Sequence, residues 1–118
     1  MSHAVRLSDT AESNLEAQVL WYCSDEQRGG EGLASRWLDL LHAALASLGK
    51  HPERYGFAPE NGKWQQSLSI RQMVFRPWKS SAGWRVLYVI DEPALTVTVL
   101  QLRHEHRPWL VDEEANDG

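Results

Sequence analysis

The five residues Arg103, His104, Glu105, His106 and Arg107 form the densest cluster of chemically capable side chains in the sequence. An imidazole changes charge near neutral pH, so His104 or His106 is suited to passing a proton, with Glu105 as a conceivable base. If the segment is a strand, alternation puts His104 and His106 on one face and Arg103, Glu105 and Arg107 on the other. The His-x-His spacing also raises a metal reading. No spacing in the chain places a third ligand, so no metal and no cofactor is expected. The plain alternative is a solvated strand end of mixed charge.

A second candidate is Arg85, near the start of an otherwise apolar stretch, "SSAGWRVLYVID", residues 80–91. An arginine there either packs its stem along a sheet and pairs its head, or presents its charge to a ligand. More cations surround it in sequence: Arg71, Arg76, Lys79, Arg103 and Arg107 all fall between residues 70 and 107. Arg71 and Arg76 could hold phosphates, but neither suits the role of a base, because arginine stays protonated. Trp78, Trp84 and Trp109 lie close to these cations and could stack bases or simply pack.

The body carrying this basic segment is acidic, with a formal net charge of −4 over 118 residues. Proteins that live on nucleic acid usually carry a basic balance, because phosphate contacts supply much of their affinity. The length fits one domain, here residues 1–110, with an acidic, flexible tail over 111–118. The single cysteine, Cys23, suits a reducing compartment. No signal-peptide or membrane-span pattern is present, so a cytoplasmic location without membrane association is expected.

The elements that must position these residues follow from periodicity. "AVRL", residues 4–7, reads as a short strand. Ser8 or Asp9 can cap a helix, with Asp9 and Glu12 at capping-box spacing, and the stripe Leu15, Val19, Tyr22 and Cys23 carries it to about residue 27. Leu33, Trp37, Leu40, Leu41, Ala44, Leu45 and Leu48 make the stripe of a second helix, stopped by Gly49 with Pro52 behind it. A turn-rich loop covers 51–67. Strand patterns follow at 69–75, 84–90 and 95–102, with short turn-forming connections. The expected architecture is α+β, in the order β-α-α-β-β-β: a helical hairpin packed on an antiparallel sheet. Leu41, Leu45, Leu48, Val86, Tyr88, Val97 and Val99 should lie in the core. Leu20 and Trp21 fall off the first helix's stripe. Cover by the second helix or the 51–67 loop is the first expectation, and contact with a partner the second.

This order, with "SLGKHPERYG" closing the second helix, "SIRQMVFRPWKSSAGWRVLYVIDE" and "VTVLQLRHEHR", resembles the RelE/ParE superfamily of toxins from bacterial type II toxin–antitoxin systems. The resemblance spans about residues 4–109. It implies the α+β fold of those toxins, a cognate antitoxin as partner, and one of two activities. A ParE-like, plasmid-stabilising toxin would inhibit DNA gyrase. A RelE-like toxin would be a metal-independent endoribonuclease, an mRNA interferase, cutting mRNA on the ribosome. A non-toxic, partner-binding member is a third outcome.

On the ribonuclease side the resemblance gives catalytic roles to Arg85, His104, His106 and Glu105. Arg85 would stabilise the phosphate's developing charge, and a histidine would act as general acid. Arg71, Arg76, Arg103 and Arg107 would bind target or phosphate, and Leu20 and Trp21 the partner. The sequence departs from that branch at Gln72 and Val74, which stand where it tends to place lysines. Together with the acidic balance, this tilts the expectation toward the ParE-like side.

Overall fold

The computed structural model describes residues 2–24, 30–59, 61–62, 69–78 and 83–105. The elements are β1 (Ala4–Leu7), α1 (Asp9–Cys23), α2 (Gly30–Lys50), β2 (Arg71–Phe75), β3 (Trp84–Asp91) and β4 (Thr96–His104), with a 3-10 turn at Pro52–Arg54. The expected meander is there: β2 pairs with β3 and β3 with β4, both antiparallel. The first strand, β1, adds to β4 in parallel, giving a mixed sheet of order β1-β4-β3-β2. Two helices and two strands separate β1 from β4 in the chain, and a connection of that length allows the parallel pairing.

Ser8 caps α1: its Oγ accepts from the Ala11 amide at 3.1 Å. The same hydroxyl donates to the Leu100 carbonyl at 2.8 Å. Asn14 Oδ1, two turns along, accepts from the Leu102 amide at 3.0 Å. Both bonds serve backbone groups of β4 that β1 cannot reach, since β1 pairs only with residues 96–99. Buried backbone polar groups need partners, and two polar helix residues supply them.

The stripe of α2 faces the sheet as its spacing predicts. Leu41, Leu45 and Leu48 are buried with Val86, Tyr88, Val97 and Val99 in one core, around Trp37. Trp37 meets Tyr22, Phe75 and Trp84 at ring-centroid distances of 5.7–6.1 Å. Gly49 does not stop the helix as expected, which runs on to Lys50. Its lack of a side chain serves a close approach instead. A Cβ there would lie 2.8 Å from the His3 carbonyl oxygen, and the His3 amide donates to the Gly49 carbonyl at 2.7 Å.

Tyr88 is buried on β3, and its hydroxyl donates to the Pro52 carbonyl, tying the turn after α2 to the sheet. Burial pushes its pKa up to about 12, only partly opposed by the nearby Arg71. A folded pKa above the unfolded value of about 10 means that stability is full below that pH and falls as pH rises toward the folded pKa. We expect the melting temperature to fall across this alkaline window more steeply for the native chain than for Tyr88→Phe. Parallel curves would show that the phenol ionises freely.

Candidate functional site

Strand alternation sorts β3 cleanly. Trp84, Val86 and Tyr88 pack in the core under the helices, so Arg85, Leu87 and Val89 point to the opposite face. On that face Val74, Arg85 and Arg103 are register partners in one row across β2, β3 and β4. Gln72, Leu87 and Gln101 form the next row. A bulge in the β3–β4 pairing at Leu87/Tyr88 skips Leu100, so Gln101 rather than Leu100 stands opposite Leu87. Arg85 Nε donates to Gln72 Oε1 at 2.9 Å.

Arg85 is 8% exposed and Arg103 9%. Side chains directly opposite on paired strands lie about 5 Å apart at Cβ, so two guanidinium groups share one small, largely desolvated patch. Each planar fork can give paired N–H donors to one anionic group. The patch is therefore suited to a carboxylate or a phosphate.

The other predicted residues are placed differently. His104, the register partner of Trp84, lies on the helix-side face, where its ring meets the Trp84 ring at 5.6 Å. The sheet stands between it and Arg85. Glu105 is engaged in a clamp at the β2–β3 hairpin: its carboxylate accepts from the Gly83 amide at 2.8 Å and pairs with Arg76. Its own amide donates to the Gly83 carbonyl. Arg71 donates to the carbonyls of Glu53 and Tyr55, and its guanidinium lies 4.4 Å from the Phe57 ring centroid. It fastens the loop after α2 to the sheet edge. His106 and Arg107, and the tail over 111–118, lie outside the described residues.

Leu20 and Trp21 on α1 are 67% and 49% exposed, which overturns the first expectation that neighbouring elements cover them. The helix turns Ala11 and Tyr22 fully inward, and Leu20 and Trp21 lie off that side. Sequence reasoning missed Gln101 as a neighbour of the arginine patch. Its strand phase was readable, but the bulge that sets its row was not.

The chain resembles the crystal structure of the toxin–antitoxin complex RelBE2 from Mycobacterium tuberculosis. There the TM-score is 0.53 and the identity 19%, over 91% of this chain and 95% of that one. It also matches the archaeal RelE–RelB complex from Pyrococcus horikoshii OT3. For that pair the TM-score is 0.44 and the identity 14%, over 92% of this chain and 100% of that one. No curated protein matches the sequence. Residues 5–109 match the family of ParE toxins of type II toxin–antitoxin systems, parDE, and the chain belongs to that family. No helix among the described residues is long and apolar enough to cross a membrane.

Proposed function

We propose that this toxin is ParE-like in action: it binds a protein target, DNA gyrase, without cutting nucleic acid, and a cognate antitoxin neutralises it. The observation that carries this reading is the company Arg85 keeps. Across the strands Arg85 stands beside Val74 and Arg103 and donates to Gln72, and none of these three exchanges a proton near neutral pH. His104 sits across the sheet, and Glu105 is held by Arg76 and Gly83. A fixed cationic patch with amide neighbours suits recognition of an acidic surface, where complementary charge sets specificity and encounter rate. The acidic balance of the chain agrees, since a nuclease acting on ribosome-bound mRNA must approach a strongly negative assembly.

The ribonuclease reading draws support from one feature, the Arg85–Arg103 pair, which would also grip a phosphodiester. Induction followed by pulse-labelling of DNA and protein separates the two. The proposal expects replication to stall first with mRNA intact. It also expects the double variant His104→Ala/His106→Ala to arrest growth as fully as the native chain. Loss of arrest in that double variant, with early mRNA cleavage by the native chain, would favour the ribonuclease.

A further inference from the structure

Three strand ends meet at one corner of the sheet. The pairings Phe75–Trp84 and Trp84–His104 put Arg76, Gly83 and Glu105 in the next row out, two residues beyond the row of Val74, Arg85 and Arg103. The Glu105 amide donates to the Gly83 carbonyl at 2.7 Å, as in a hydrogen-bonded antiparallel rung. The reciprocal bond, from the Gly83 amide, is taken by the Glu105 carboxylate at 2.8 Å. As a strand β4 ends at His104, and this side chain closes a rung that the main chain leaves half made. The other carboxylate oxygen pairs with Arg76. Gly83 is pressed into the same corner: a Cβ there would lie 2.5 Å from the Phe75 carbonyl oxygen.

Sheets open from their ends, and this end lies close to the arginines. At about 3.3 Å per residue, the Gly83–Glu105 rung is roughly 7 Å along the strands from the Arg85–Arg103 pair. Once it opens, only the Trp84–His104 pair separates the fray from the two guanidinium groups. An anion gripped by two forks needs both held within a fraction of an ångström of the binding geometry. A hydrogen bond to a charged group favours the closed corner by about tenfold or more. The ion pair adds little to this, because the Arg76 side chain is largely exposed. The bond to Gly83 is therefore the part of the clamp that matters for the arginine row.

We propose that Glu105 is a positioning residue: its carboxylate closes the last rung between β3 and β4 and so holds Arg85 and Arg103 in one row for an anionic group. This rests on the reading that the row is the site. The full chain is compared with Glu105→Ala and Glu105→Gln by amide hydrogen exchange and by growth arrest on induction. Rungs alternate, and the Leu102 amide turns away from β3 to Asn14, so the Arg103 amide faces β3 and the Arg85 amide faces β4. In Glu105→Ala, exchange at Gly83, Arg85 and Arg103 should quicken about tenfold or more, and growth arrest should weaken with it. Val89 and Val97, at the far end of the pairing, should exchange as in the native chain. Glu105→Gln keeps an acceptor for Gly83 and should keep most of the protection and most of the arrest, whereas a general base would be lost with it. If Glu105→Ala exchanges and arrests growth like the native chain, or quickens exchange at Val89 and Val97 equally, the positioning role is wrong. It is also wrong if Glu105→Gln folds and no longer arrests growth, a test that stands even where the alanine variant does not fold. Arg85→Ala separates the two failures. Should that variant still arrest growth, the row is not the site; should it be silent while Glu105→Ala is active, only the role of Glu105 falls.

Discussion

Arg85→Ala is expected to abolish growth arrest on induction while the variant still folds. The guanidinium is one of two in the buried Arg85–Arg103 row, and its removal takes away one of the two cations there. Truncating one partner of a desolvated charge pair across an interface costs about 2–5 kcal/mol of affinity, a loss of roughly 30-fold to several thousand-fold. Were the patch acting on a phosphate in a transition state, losing one such donor would cost about 100-fold or more in rate. Either loss is large enough to silence a toxin. The variant also takes the donor from Gln72, which costs about 1 kcal/mol of folding stability. Arg85→Lys keeps the charge but lacks the planar fork, so it should retain only a fraction of the activity. The measurements are colony survival after induction and the thermal midpoint of the purified chain. A variant that arrests growth like the native chain removes Arg85 from the site. One that fails to fold makes it a framework residue.

The largest effect on stability is expected at Trp37. Its side chain is 1% exposed and joins α1, α2, β2 and β3 through Tyr22, Phe75 and Trp84. Cutting a buried tryptophan to alanine costs about 3–5 kcal/mol in transfer and cavity terms. A domain of this size has about 5–15 kcal/mol in total, so Trp37→Ala should leave a substantial unfolded fraction or a chain that aggregates. Trp37→Phe should cost far less. It keeps much of the ring volume and removes the indole N–H, which is buried with no hydrogen-bond partner among the described residues. Urea unfolding followed by circular dichroism compares the two midpoints. Near-equal losses for Ala and Phe would mean that the indole itself, not the volume it fills, holds the cluster.

The two helices and the three strands of the meander were legible because each carries its own period. The stripe from Leu33 to Leu48 repeats at helical spacing, and the seven residues expected in the core are all there. Of the two caps the sequence offered, Ser8 and Asp9, the structure uses Ser8, whose short hydroxyl side chain accepts from the first turn. Gly49 was misread because a glycine near a helix end fits two purposes. Only the approach of His3, which is 46 positions away in sequence, shows that backbone proximity is the one used here.

Local pattern thus determined which segments are helix or strand, which side chains turn inward, and that a band of cations lies between residues 70 and 107. It could not determine register. Pairing between β3 and β4 brings Arg103 beside Arg85, leaves His104 against Trp84 on the other face, and uses a bulge at Leu87/Tyr88 to place Gln101. It also could not determine that β1 returns parallel to β4 and leaves Val5 and Leu7 facing an open edge, or that α1 ends with Leu20 and Trp21 in solvent. The reason is that alternation fixes faces only relative to a residue's own strand. Which faces coincide, and which edges stay open, is set by hydrogen bonds and packing between residues far apart in the chain.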